Sequence, residues 1–278
     1  MRQTRSLLLL LAVLSVAGCS KSDAAPRAGT IVSLSPAATD LLVAMGLADR
    51  IVGVSPYEAN AALREKLPKV GDYERIDWER MAAIKPQFLV VQGKRDRMEA
   101  GVRQNAATLG ITTVILEIDR LEDIRTAVQQ LGHETNNPAA ASKLLADLEA
   151  RQIALAKAKR TPAVPAMIAL GENGTYVVGK QTYLDDALDL AGGANVLSTK
   201  GYFAIDAEKL ASLQPRVVFL LLPAADAATV DRAKASLVRA GVSASADVVP
   251  LSNKDVLLPG TAAFKLAESM ATHLRAVP

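Results

Sequence analysis

The chain has 278 residues, half of them hydrophobic, with 32 Lys and Arg against 29 Asp and Glu. That balance, with no Lys/Arg run, argues against a nucleic-acid partner, and a single cysteine excludes an intramolecular disulfide. The length suits two domains of ordinary size.

The first residues read as a leader. Arg2 and Arg5 form a basic start, residues 7–14 form a short apolar run, and Val16-Ala17-Gly18 precede the only cysteine, Cys19. This layout is the processing signature of a bacterial lipoprotein signal peptide, residues 1–18, with Cys19 as the lipidation site. The apolar run is short of the ~20 residues a spanning helix needs. Residues 19–29 are small and polar, suiting a flexible tether, and no later segment of the sequence is apolar enough to cross a bilayer.

From Thr30 onward, short β-branched runs alternate with helical stretches. Residues 31–35, 51–55, 87–93 and 113–118 read as strands, and PAATDLLVAMG as a helix with Ser35 as N-cap, Pro36 in the first turn and Gly46 as its stop. Residues 138–160 are rich in Ala, Leu and Lys and lack Gly or an internal Pro after the first position; ~23 residues predict a rod roughly 35 Å long. A second series of strands follows at residues 166–171, 217–222 and 247–252, with helices at 184–191, 206–213, 225–240 and 262–276. Continuous apolar strands alternating with helices predict parallel sheets covered on both faces. The expected architecture is α/β: two Rossmann-like lobes, residues 30–135 and 163–278, joined by one long helix within residues 136–162, with a ligand cleft between them.

A repeat links the two halves. YERIDWERMAAIKP, residues 73–86, and YFAIDAEKLASLQP, residues 202–215, match at Tyr73/Tyr202, Ile76/Ile205, Asp77/Asp206, Glu79/Glu208, Ala82/Ala211 and Pro86/Pro215. Ordinary residue frequencies give roughly one identity over such a length. Asp77 and Asp206 suit helix N-caps, which accounts for the aspartates as well as any function does. Glu79 and Glu208 then fall in the first turn, at the positive end of the helix dipole. The tyrosines need another reason. Only five occur in the chain, and aromatics make up 4% of it. Tyr73 and Tyr202, with Tyr57 after the second strand, are read as loop residues at the carboxyl ends of strands, where open α/β sheets bind ligands. Flat aromatics with one polar tip suit a bulky, partly apolar ligand.

Catalytic and metal readings find no residues to carry them. His133 and His273 each fall near a helix end without further ligands at metal spacing. GTYVVGKQ, residues 174–181, misses the phosphate loop at Gln181, and its TYVV centre reads as a strand.

IVSLSPAATDLLVAMGLADRIVGVSPY, LPKVGDY and DWERMAAIKPQFLVV, followed by YLDDALDLAGGANV and IDAEKLASLQPRVVFL, resemble in order and spacing the periplasmic substrate-binding proteins of ABC transporters for iron complexes and cobalamin, the rigid-helix class. Two positions depart from that pattern: Asp40 stands where glutamate is more usual, and no Tyr-Pro pair follows Tyr57. The resemblance implies a non-catalytic, monomeric periplasmic protein, tied to the membrane only by its lipid. Its implied partner is a two-fold symmetric permease with its ATPase. Glu79 and Glu208 inherit the role of docking on permease arginines, consistent with two equivalent acids meeting a two-fold partner. Tyr57, Tyr73 and Tyr202 look most like the aromatic set of cobalamin-binding members. Haem, held by an axial tyrosine, comes second, and ferric siderophores, which call for clustered Arg where Lys94-Arg95 stands, third. The competing enzyme class, tetrapyrrole metal chelatases, calls for His or carboxylate ligands that the sequence does not group.

Overall fold

The computed structural model describes residues 27–278 apart from 73, 95–99, 173 and 224. The leader, Cys19, most of the tether, Tyr73 and Arg95 therefore lie outside the described residues.

The first half of the chain builds β1 (Arg27–Ser33), α1 (Pro36–Ala44), β2 (Ile51–Val54), α2 (Ala61–Lys66), α3 (Trp78–Ile84), β3 (Pro86–Gln92), α4 (Ala100–Thr108), β4 (Thr112–Leu116) and α5 (Leu121–Glu134). Its sheet has the order β2-β1-β3-β4, with every pairing parallel. α1 starts as read: Ser35 Oγ accepts the Ala38 N–H at 3.2 Å, Pro36 opens the helix, and Gly46 follows its end at φ +77°.

Then comes α6 (Pro138–Lys157), and after it β5 (Val164–Leu170), β6 (Tyr176–Val178), α7 (Tyr183–Leu190), β7 (Gly193–Asn195), β8 (Tyr202–Ala204), α8 (Ala207–Ser212), β9 (Val217–Leu221), α9 (Ala227–Arg239), β10 (Asp247–Leu251) and α10 (Thr261–Ala276). The second sheet runs β10-β9-β5-β6-β8, with β7 paired to β5. β5, β7, β9 and β10 are parallel, while β6 runs antiparallel to both β5 and β8. The sheets are thus of parallel type, with one reversed strand.

α6 has 20 residues, about 30 Å, and stops three residues before the expected end. Pro162 disfavours helical backbone at the residue before it, so the last turn closes earlier, at the Ala158 cap. The helix is also more than a rod across two backs. Ala141, Leu144, Leu148 and Leu155 bury into a continuous core shared by α1, α5, α7, α10 and one face of each sheet. The opposite faces carry separate cores, around Met81, Leu89 and Ile115 in the first sheet and Met167, Leu210 and Leu237 in the second.

Two helix caps cross between the halves. Gly260 precedes α10 and has no side chain to cap it; Asp40 of α1 does so instead, accepting the Thr261 N–H at 2.6 Å and the Thr261 hydroxyl at 2.9 Å. A Cβ on Gly260 would stand 2.4 Å from Asp40 Oδ2, so only glycine leaves room for the carboxylate. In return, Asp186 of α7 accepts the Leu121 N–H that opens α5, at 2.9 Å, and takes the Arg120 guanidinium as a fork at 2.8 and 2.5 Å. Each half thereby satisfies orphan amides of the other's helix.

Candidate ligand-binding cleft

The two halves meet in two places near the ligand-binding ends expected of their sheets. At one end, the loop after β2 faces the loop after β10, and Lys254 Nζ donates to the Ala59 carbonyl at 3.1 Å. At the other end, the segment after β4, with Asp119 and Arg120, faces Asp186 and Tyr202. This is the place where open α/β sheets bind ligands.

Tyr57 sits at the first end, directly after β2, with its side chain 73% exposed. Its backbone N–H is held by Ser55 Oγ at 3.2 Å. Tyr202 sits at the second end, but not in a loop. It is the first residue of β8, at the amino end of a strand and not after a carboxyl end as expected, because residues 202–204 pair antiparallel with β6 and so extend the sheet. Tyr73 lies outside the described residues, so of the three expected tyrosines the structure describes two, Tyr57 after β2 in the first half and Tyr202 in β8 of the second.

The second sheet adds an aromatic that the sequence reading passed over. Val177 and Phe203 turn into the outer core, so Tyr176, Val178, Tyr202 and Ala204 share the other face. Tyr176 opposes Ala204 and is therefore diagonal to Tyr202, a separation of roughly 7–8 Å. The two tyrosines are 46% and 40% exposed and form one patch. The available signal was the TYVV strand itself, whose first residue lies at the ligand end of the sheet. Tyr183, by contrast, is structural: it is buried, and its hydroxyl donates to the Leu257 carbonyl at 2.7 Å.

Burial pushes the Tyr202 phenol up to about 12, against a hydrogen bond from the Thr182 side chain; the negative charges of Asp119 and Asp186 add to the rise. Its ring is therefore neutral at neutral pH. Lys94, after β3, pairs with Asp119 and with Glu117 at 3.6 Å, so its charge is already neutralised. Among the described residues no cluster of three or more His, Cys, Asp or Glu is placed to hold a metal. His133 and His273 both fall in the last turns of helices, and the His273 ring stands edge-on to Phe219 at 6.4 Å. The glycine-bounded TYVV segment is β6, and a Cβ on Gly179 would meet the Thr199 carbonyl at 2.0 Å. That glycine serves a close backbone approach, not a phosphate cradle.

At the starts of α3 and α8 the repeat resolves into equivalent caps. Asp77 accepts the Arg80 N–H at 2.9 Å, and Asp206 accepts the Lys209 N–H at 2.6 Å. Met81 and Leu210 bury behind them. Glu79 and Glu208 are exposed in the first turns and enter no ion pair among the described residues. A carboxylate that is neither cap nor ion-pair partner is free to meet something outside the chain.

Residues 31–234 match the profile of a family described as periplasmic binding protein, which is well over half of the chain. The vitamin B12-binding protein of Vibrio parahaemolyticus is 26% identical over 192 residues, covering 68% of this chain and 69% of that protein. The crystal structure of the periplasmic haem-binding protein of Vibrio cholerae superposes with a TM-score of 0.75 at 22% identity, covering 88% of this chain and 98% of that one. The periplasmic vitamin B12-binding protein of Vibrio cholerae superposes with a TM-score of 0.70 at 24% identity, covering 89% and 96%.

Proposed function

The chain belongs to the periplasmic binding protein family, and from that premise we propose that it captures a corrinoid, cobalamin first, and delivers it to an ABC importer. Membership makes it a non-catalytic substrate-binding protein of the periplasm, whose partners are a small molecule and a permease with its ATPase. No helix among the described residues is long and apolar enough to cross a membrane.

The ligand reading is supported by exposed aromatic rings in both halves, Tyr57 after β2 and Tyr176 with Tyr202 on the second sheet, which we read as facing walls of one cleft. A corrinoid offers a broad, partly apolar surface, and ring faces grip it without needing charge. The neutralised Lys94 favours this over an anionic siderophore. Haem is the second reading, supported by fold neighbours that bind it. Axial ligation would take a phenolate, whereas the burial of Tyr202 favours the neutral phenol until an iron overrides it. Tyr73 completes the aromatic set in this reading. Glu79 and Glu208 dock on the two permease subunits, Cys19 carries the lipid, the protein acts as a monomer, and α6 holds the lobes at a fixed angle. The absorption spectrum and native mass of protein purified with its ligand test the assignment. A corrinoid spectrum supports it; a haem Soret band rejects it in favour of the second reading.

A further inference from the structure

The residue after Tyr57 is the most unusual acid in the molecule. Tyr57 is 73% exposed and Glu58 only 2%, so neighbouring side chains point in opposite directions from one tight turn. Glu58 Oε1 accepts the Asn60 N–H at 2.8 Å, closing the turn on itself, while the Glu58 N–H returns to the Ser55 carbonyl at 3.1 Å. Glu58 Oε2 has no hydrogen-bond partner among the described residues. The Thr39 hydroxyl beside it has one proton, already directed to Ser33 Oγ at 2.9 Å or the Ser35 carbonyl at 3.1 Å.

This carboxylate borders a small cavity of about 70 Å³ whose walls come from both halves of the chain. Thr39 and Asp40 belong to the first half, and Lys254 and Asp255 to the second. The Lys254 ammonium grips the carbonyl of Ala59, one residue further along the same turn, and Arg64 Nη1 donates to the Glu58 carbonyl at 2.8 Å. A buried carboxylate with an idle oxygen costs free energy that a surface loop has no need to bear. Here the cost falls on the turn that presents Tyr57.

We propose that Glu58 is a positioning residue for Tyr57: its buried carboxyl closes the 55–60 turn and, with Lys254 clasping Ala59 from the opposite wall, holds the Tyr57 ring in the cleft. The contact of Tyr57 with ligand rests on the function proposed above; the closing of the turn does not.

The charges facing Glu58 fix the pH behaviour. Burial, and to a lesser degree the negative charge of Asp40, raise its carboxyl above the ordinary glutamate value, while the amides of Asn60 and Ala59 oppose them. Lys254 and Asp255 face it across the cavity, and Arg64 holds its backbone. A raised carboxyl means that the ionised form is disfavoured by folding. Its stabilising contribution is present below the ordinary value and lost as pH rises through the raised one. Glu58→Gln, which keeps the acceptor and removes the charge, is therefore expected to be at least as stable as the parent at neutral pH. The charge-assisted Asn60 bond changes in the opposite sense, strengthening as the carboxyl ionises.

The test is amide hydrogen exchange over residues 55–60 in the ligand-free protein, corrected for intrinsic rates and followed across the acid range, alongside cyanocobalamin titrations. Glu58→Ala should speed exchange of the Asn60 amide and weaken cyanocobalamin about tenfold; Glu58→Gln, an uncharged acceptor like the protonated carboxyl, should restore most of both and hold the parent's acid-side protection at every pH. In the parent, protection should fall as pH drops through the raised value, and in Glu58→Gln it should not. Parental exchange in Glu58→Ala, or the same pH profile in parent and Glu58→Gln, overturns the proposal. If Glu58→Ala does not fold, the pH comparison decides alone. A parent that binds no cyanocobalamin rejects the ligand assignment, and the exchange results still judge Glu58.

Discussion

In the first lobe Ile76, just ahead of α3, bridges Gly71, whereas in the second the chain enters α8 from β8, a strand paired to β6. Beyond that point the two stretches converge: an aspartate caps the helix, a glutamate stands exposed in the first turn, and Met81 or Leu210 anchors the helix to its sheet. The helix starts are alike and the approaches to the cleft are not. A two-fold partner needs the first kind of likeness, while a ligand with two different faces needs the second kind of difference. The duplication thus persists in the helix starts and has diverged in the segments that lead into them.

The likeness breaks most readily in the cores. Met81→Ala and Leu210→Ala should each cost about 2–5 kcal/mol in denaturant unfolding, by similar amounts, since both side chains are fully buried against their own sheet. A near-zero cost for either would mean that the two helices are not equivalently anchored. The difference between the walls is sharpened by Tyr57→Ala and Tyr202→Ala. Each should weaken cobalamin by ~1–2 kcal/mol, about tenfold, in calorimetric titration. The Phe variants should stay within about twofold, because ring area and not the phenol oxygen makes the contact.

A smaller effect is expected at the caps. Asp77→Ala and Asp206→Ala should each lose ~1 kcal/mol of unfolding free energy, since both remove one bond to an N3 amide. The Arg80–Asp77 ion pair at 3.5 Å is exposed and adds little to the first. Smallest of all, in the isolated protein, is the double variant Glu79→Ala/Glu208→Ala. Unfolding free energy should move by less than ~0.5 kcal/mol, and cobalamin affinity should hold. Only reconstituted transport should suffer, and normal stimulation of the transporter by this variant would end the docking assignment.

Much of this was legible in the residues. β1 to β5, β9 and β10 each carry an apolar stretch that reads as a strand, although β1 begins at Arg27, within the expected tether, and not at residue 31; Ser35, Asp77 and Asp206 carry the side-chain oxygen an N-cap needs. β7 and β8 were not legible, because three residues carry no period and their strand character comes from the partner strand. That is why Tyr202 was expected in a loop, and why Tyr176, across the pairing from it, went unread. Glu58 looks in sequence like any loop acid; its burial depends on Thr39, Asp40 and Lys254, brought together only by the fold. The crossed caps at Asp40 and Asp186 are long-range for the same reason.

The central claim is that the cleft grips a corrinoid with aromatic rings on two walls. Parallel calorimetric titrations of the intact protein with cobalamin, cobinamide and hemin test it most directly. The account predicts tight binding of cobalamin, with cobinamide also bound because the shared ring supplies the contacts, and hemin weaker than either. Tight hemin binding with no response to either corrinoid would contradict it.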